Sequence, residues 1–231
     1  MPSVKAIADN RPMTAPLPGT ARRRGALLLA DISGYTSFLQ GVADAHRDVI
    51  VEADEPPPAY AVLSHLLDTI ATAIAPTFRL AKFEGDAIFA VADDGLATGE
   101  AVLESVQRCY AAFRDRLAAA GSLWTCTCDA CARIGQLDLK FVLHHGTYVA
   151  QSIAGHEEFL GPAVNLVHRL LKNHARDLVG AAPYALVTEA AVDALTIPTA
   201  DMVAGEEAYE DTPPVSVHIL VLAAPAAAQG H

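Results

Sequence analysis

One stretch constrains this chain more than any other: Leu27-Leu28-Leu29-Ala30-Asp31-Ile32-Ser33-Gly34-Tyr35-Thr36. An apolar run closed by turn residues predicts a buried strand that opens onto a surface turn. Asp31 then stands at the rim of an apolar core, where a carboxylate needs a partner or a cation. A second stretch, Leu80-Ala81-Lys82-Phe83-Glu84-Gly85-Asp86-Ala87-Ile88-Phe89-Ala90-Val91, repeats the arrangement. Two strand-like runs flank Glu84-Gly85-Asp86, and Gly-Asp suits a tight hairpin turn. On neighbouring strands Asp31 and Asp86 converge. Two convergent carboxylates make a site for a hard divalent cation, with magnesium the default.

The 231 residues are enough for one large domain or two small ones, and an apolar fraction of 52% is ample for a core. A tail over residues 1–25, rich in Pro, Ala and Thr, is expected to be disordered, and Arg22-Arg23-Arg24 at its end reads as a solubilising patch. The domain proper is expected over 26–223, with a Cys-rich insert at about 122–136 and a loose Ala-rich tail over 224–231. Helices are expected from Ser37 to His46, from Ala59 to Ala75, where Val62, Leu66, Leu67, Ile70 and Ile74 share a face, and from Gly99 to Ala120. A strand from Leu137 to His144 is expected to turn at Gly146 into a second one running through Ile153. A helix over Gly161–Asn173, a short strand at Tyr184–Val187, a short helix at Glu189–Leu195 and a last strand at Val215–Leu222 complete the pattern. Strands and helices alternate with at least one hairpin. The fold class is therefore α/β in the sense of an α+β sandwich: a mixed, mostly antiparallel sheet with helices packed on it.

A formal net charge of -11 argues against sequence-independent nucleic-acid binding, which needs a basic stripe. It leaves nucleotides open, since a local basic cluster and a metal suffice for them. No apolar run reaches the roughly 18 residues of a membrane span, and no secretory signal opens the chain. Four cysteines are few for a disulfide scaffold of this length. The expectation is a cytoplasmic protein with neither nucleic acid nor membrane as partner. Cys126, Cys128 and Cys131 form a C-x-C-x-x-C cluster that reads as a partial zinc site or as a reduced, loosely ordered thiol loop. A structural zinc site wants a fourth ligand, for which Cys109, His144 and His145 are the candidates. Trp124 beside the cluster reads as an anchor for the insert.

Three segments stand out together: Ala30-Asp31-Ile32-Ser33-Gly34-Tyr35-Thr36, Lys82-Phe83-Glu84-Gly85-Asp86, and Gly161-Pro162-Ala163-Val164-Asn165-Leu166-Val167-His168-Arg169-Leu170. In this order and spacing they resemble the catalytic domain of class III adenylate and guanylate cyclases. Leu139-Lys140-Phe141-Val142-Leu143-His144-His145-Gly146 looks like that family's strand ending in a Gly-Ile-His-x-Gly pattern. The cysteine cluster followed by His168-Arg169-Leu170-Leu171-Lys172-Asn173 also resembles a bacterial subgroup of cyclase-like proteins. The resemblance covers Leu27 to about Leu222. It implies a ferredoxin-like cyclase core working as a homodimer with sites at the interface. It also implies a lyase that makes a 3′,5′-cyclic nucleotide and pyrophosphate from a nucleoside triphosphate, for signal transduction.

Carried over position by position, Asp31, Asp86 and the Ile32 carbonyl would hold two metal ions, magnesium or manganese. Lys82 would read an adenine, which favours ATP and cyclic AMP, and Glu158 falls where a second base-reading residue sits. Asn165 would orient the ribose. Arg169, four residues on along the same helix face, would steady the reacting phosphate. One departure bears on activity: Glu206-Glu207-Ala208-Tyr209-Glu210-Asp211 holds no lysine or arginine where the family supplies a phosphate-gripping lysine. Either Lys172 or Arg176 reaches the phosphates, or triphosphate is held weakly. Plain alternatives stand beside these roles. Asp31 and Asp86 would serve as turn-capping carboxylates, Lys82 as an edge-strand lysine, Asn165 and Arg169 as a solvated helix face, and Glu158 as a solvated loop acid. The rival function is a nucleotide-binding regulatory module without turnover. A third is a zinc-thiol redox sensor that gates either one.

Overall fold

The central strand explains the rest of the architecture. In the computed structural model, which describes residues 19–48, 58–123, 126–210 and 212–223, β1 runs over Ala21–Ser33. Leu27, Leu28, Leu29 and Ala30 have no exposed surface. A strand apolar on both sides must be covered on both faces, because successive side chains point to opposite sides. Ala26, Leu28, Ala30 and Ile32 enter one core and Leu27 and Leu29 enter the other.

The first core lies under α1 (Tyr35–Ala45), α2 (Pro58–Ile74) and α3 (Gly99–Leu123). α2 contributes Leu63, Leu66, Ile70 and Ile74, a spacing that makes one helical stripe. α3 buries Val102, Val106, Tyr110, Phe113 and Leu117, the face expected from the sequence. The short α4 (Asp129–Ala132) and a 3₁₀ turn at Arg133–Gln136 close this layer, followed later in the chain by α7 (Glu189–Leu195). The opposite core is covered by α5 (Pro162–Arg169), a 3₁₀ turn at Leu170–Lys172 and α6 (Ala175–Val179).

The sheet has eight strands. Six of the seven others are β2 (Arg79–Glu84), β3 (Ala87–Asp93), β4 (Asp138–Ile153), β6 (Tyr184–Thr188), β7 (Val203–Tyr209) and β8 (Thr212–Val221), in the order β2-β3-β1-β4-β6-β8-β7. The remaining strand, β5 (His156–Leu160), pairs with the far end of β4. All pairings are antiparallel except β4 with β6. This is the mixed, mostly antiparallel sheet with packed helices that the sequence predicts.

Several local expectations are corrected. β1 begins at Ala21, so Ala21–Gly25 belong to the sheet and not to the tail. Arg23 and Arg24 are not simply a solubilising patch: they pair with Asp93 at 3.0 Å and Asp94 at 3.7 Å. Residues 1–18 and 224–231, and with them most of both expected tails, lie outside the described residues, as does Trp124. β4 runs unbroken through Gly146, where a turn was expected. Gly146 is needed for a close approach instead, since a Cβ there would sit 2.7 Å from the Ala163 Cβ of α5. Glu158 lies in strand β5 and not in a loop. The helix expected to reach Asn173 stops at Arg169. Asn173 itself supplies the reason: its Nδ2 donates to the Leu170 carbonyl at 2.7 Å and its Oδ1 accepts from the Ala175 amide at 3.0 Å, replacing helical bonds with side-chain ones.

Gly146 thus sets how closely α5 rides on the sheet. Gly146→Val should lift α5 and destabilise the fold by about 1–3 kcal/mol, read as a lower urea midpoint with an unchanged m-value.

Candidate functional site

A cleft of about 370 Å³ opens at the end of β1. Its floor follows directly from the sequence of that strand. Asp31, the first acidic residue after the apolar run, keeps the side-chain direction of Leu27 and Leu29 and so faces the α5–α6 side. The chain then turns through Ser33 and Gly34, whose φ of 87° is a left-handed conformation suited to glycine, and enters α1 at Tyr35. Asp86 arrives from the β2–β3 turn, held against β1 by the Ile32 amide donating to its carbonyl at 3.1 Å. Asp31, Ile32 and Asp86 line the same cleft together with Tyr35, Lys140, Asn173, Arg176 and Tyr184.

The electrostatics of this cleft follow from the two acids. Burial raises the Asp86 carboxyl above its ordinary value, a hydrogen bond from its own backbone opposes this, the Asp31 charge raises it further and Lys140 offsets part of that. Burial, then the Asp86 charge, also raises the Tyr35 hydroxyl. Lys140 Nζ lies 3.1 Å from Asp31 Oδ2 and also donates to the Leu171 carbonyl at 3.0 Å. Tyr184 donates its hydroxyl to Asn173 Oδ1 at 2.8 Å, fixing the segment that carries Arg176. Carboxylates plus a main-chain carbonyl are hard oxygen donors, the set that suits a magnesium- or manganese-sized cation. Lys140 partly balances their charge.

The other expected residues gather elsewhere. Lys82 on β2 donates to both carboxylate oxygens of Glu158 on β5, each at 3.0 Å. Arg79 and Glu157 repeat the link at 2.6 Å, and Arg79 stacks 5.5 Å from the centre of the Phe159 ring. Asn165 and Arg169 are exposed on one face of α5. Arg169 donates to Thr212 Oγ1 at 2.6 Å and to the Glu210 carbonyl at 3.2 Å. Between them on the helix, His168 Nε2 lies 2.9 Å from Glu84 Oε2, a strut from α5 to the hairpin of Asp86. That Glu84 contact, more than opposing burial, raises the His168 pKa. None of Lys82, Glu158, Asn165 and Arg169 is among the residues lining the Asp31–Asp86 cleft.

Sequence reasoning missed Lys140, Tyr184 and the cleft role of Asn173. The signal for Lys140 was its register, since Asp31 pairs with Lys140 across β1 and β4, but strand pairing is invisible along a single chain. Of the two cations proposed for phosphate, Arg176 lines the cleft and Lys172 does not. The candidates for a fourth ligand to the cysteines are also corrected. Cys109 is buried with its thiol toward the Ile70 carbonyl at 3.8 Å. His144 bonds Thr188 at 2.9 Å and His145 bonds Asp94 at 2.6 Å. The residue that meets Cys126, Cys128 and Cys131 is His46.

The comparisons with known proteins agree with this architecture. A family described as Protein of unknown function (DUF2652) matches residues 63–177. An uncharacterized protein of Mycobacterium tuberculosis, Rv2561/Rv2562, is 35% identical over 111 residues, 48% of this chain and 51% of that protein. The chain thus spans about half the length of this curated relative. Among solved structures, the guanylyl cyclase Cya2 superposes with a TM-score of 0.61 at 16% identity, over 90% of this chain and 96% of the other. The adenylyl cyclase CyaB from P. aeruginosa gives 0.60 at 15%, over 89% and 97%. The chain has the fold of class III nucleotide cyclase catalytic domains. No helix among the described residues is long and apolar enough to cross a membrane.

Because the charged form of Asp86 is disfavoured in the metal-free fold, Asp86→Asn should raise the metal-free melting temperature by roughly 1–4 °C. The wild type should gain stability with millimolar magnesium or manganese and the variant should not. Thermal unfolding with and without each ion checks both.

Proposed function

We propose that this chain is a nucleotide cyclase converting a nucleoside triphosphate, ATP by preference, into a 3′,5′-cyclic nucleotide and pyrophosphate at a homodimer interface. The observation that supports this reading is the cleft itself: Asp31, Ile32 and Asp86 line it together on a cyclase fold, with Lys140 and Arg176 beside them. Bound there, divalent ions would lower the pKa of the attacking 3′-hydroxyl and neutralise charge on the departing pyrophosphate. Arg176 and Lys140 supply fixed positive charge near the phosphates, taking the part of the lysine absent from Glu206–Asp211. Asn165 positions the ribose by hydrogen bonding. Arg169 stabilises the charge that grows on the α-phosphate, an interaction worth most in the transition state. Lys82 and Glu158, already paired, offer one donor group and one acceptor group to a base edge, and Lys82 suits adenine.

Lys82, Glu158, Asn165 and Arg169 do not line the cleft of their own chain. A twofold dimer brings the cleft of one protomer to the α5 and β2–β5 surface of its partner and forms two equal composite sites. Exposed apolar side chains on those strands, Leu80, Phe83 and Leu160, give such an interface its apolar contacts. One observation favours the second reading, a nucleotide-binding regulatory module without turnover: Lys140 holds Asp31 at 3.1 Å and competes with a metal for it.

Product formation decides between them. Purified protein is incubated with ATP, GTP, CTP and UTP in magnesium and separately in manganese, and cyclic product is read by mass spectrometry. The cyclase reading expects one preferred substrate, no activity in Asp31→Ala, and a loss of ~10²–10³-fold in kcat for Arg169→Ala. Saturable nucleotide binding with no cyclic product in either metal would establish the regulatory module instead.

A further inference from the structure

The cysteine insert and the end of α1 bring three sulfurs and one imidazole nitrogen to a single point. His46 Nε2 lies 3.3 Å from the sulfur of Cys131, 3.4 Å from that of Cys128 and 3.6 Å from that of Cys126. One ring nitrogen carries either a single proton to donate or a single lone pair to accept with, yet it stands close to all three sulfurs. All four ligand atoms also lie within 4.8 Å of one another. A tetrahedral zinc ion, with Zn–S near 2.3 Å and Zn–N near 2.0–2.1 Å, requires S···N edges of about 3.6 Å and S···S edges of about 3.8 Å. The three S···N distances of 3.3, 3.4 and 3.6 Å match such edges closely, and the sulfurs lie within 4.8 Å of one another.

We propose that Cys126, Cys128, Cys131 and His46 form a closed structural zinc site that staples the insert to the C-terminal end of α1. Three thiolates and one imidazole in tetrahedral array select zinc over magnesium or calcium, which demand oxygen donors and higher coordination numbers. As the ion binds, the three thiols release their protons to solvent and each sulfur becomes a metal–thiolate. The surroundings already suit charged sulfur: the Cys131 amide donates to Cys128 Sγ at 3.4 Å, which holds the Cys128–Cys131 turn in a ligating shape.

The need for a metal is legible in the size of the insert. Between Cys126 and Gln136 it has one turn of α-helix and one of 3₁₀ helix, and only Ala130, Cys131 and Ile134 are buried. Three side chains are too small a core to fix a segment of this length, the circumstance in which small units use metals. The staple also reaches the cleft. Ala130 packs on α1 at Gly41, where a Cβ would lie 3.5 Å from the alanine methyl, and α1 begins with the Gly34–Tyr35 turn that lines the Asp31–Asp86 cleft. Zinc loading therefore fixes the helix whose first turn shapes that cleft, whichever chemistry the cleft performs.

The test needs no nucleotide and so stands apart from the cyclase reading. Full-length protein purified without chelator should contain about one zinc per chain by elemental analysis. Replacing it with cobalt should give the intense sulfur-to-metal charge-transfer absorption and the tetrahedral ligand-field bands of a thiolate-rich site. Stripping the zinc should lower the melting temperature by more than about 5 °C, and adding it back should restore it. Cys128→Ser and His46→Ala should each weaken zinc binding by at least the ~10–100-fold that follows even from losing a ligand's outer hydrogen-bond partner. Cys109→Ala, outside the cluster, should keep the full zinc content. Competition between cobalt and zinc in the wild-type protein keeps the test decisive should a variant misfold. A wild-type protein that contains no zinc and shows no thiolate charge transfer with cobalt would overturn the site. A cobalt spectrum left unchanged by His46→Ala would overturn the assignment of the fourth ligand.

Discussion

The approach of two carboxylates at the open end of a buried strand is the constraint on which the rest of this structure depends. Asp31 cannot retreat into the core, because Leu27 to Ala30 behind it are fully enclosed. Asp86 cannot move away, because the main chain of its turn is bonded to Ile32. Burial and the Asp31 charge both disfavour the charged form of Asp86. The chain answers with one lysine on the neighbouring strand and one arginine beyond α5. The proposed activity would use this carboxylate pair to hold a divalent cation.

The surrounding elements serve to hold this geometry. α1 leaves the cleft immediately after Asp31 and is tied down at its far end by the cysteine insert. α5 rides close on β4 because Gly146 has no side chain, and His168 braces it against the hairpin that carries Asp86. Asn173 breaks the helix and turns the chain so that Arg176 enters the cleft. The β2–β5 ion pairs hold Lys82 and Glu158 together outside the lining of the cleft. Asp31 and Asp86 line the cleft, while Lys82, Glu158, Asn165 and Arg169 of the same chain do not.

The sequence made the hairpin of Asp86, the strand of Asp31 and the buried faces of α2 and α3 legible, since each rests on local periodicity and turn chemistry. What it left hidden depends on pairing in space. Lys140 reads as an ordinary strand residue until its register opposite Asp31 is known. His46 lies 80 residues before Cys126, and nothing along the chain marks it as the partner of the cysteines. Gly146 reads as a turn because glycine commonly breaks strands, whereas here it makes room for a helix. β7 is hidden in the sequence because Val203–Tyr209 (Val-Ala-Gly-Glu-Glu-Ala-Tyr) has no alternating apolar pattern.

In the proposed cyclase one active centre is built from two chains. Mixing Asp31→Ala with Arg169→Ala, each inactive or nearly so as a homodimer, tests it directly. Random exchange of protomers makes half of the dimers mixed, and each mixed dimer holds one intact site of two, so about a quarter of wild-type cyclase activity should return. If the mixture stays as inactive as its components while subunit exchange is demonstrated by mass spectrometry, the two groups of residues do not share a site, and the account of an interfacial cyclase is contradicted.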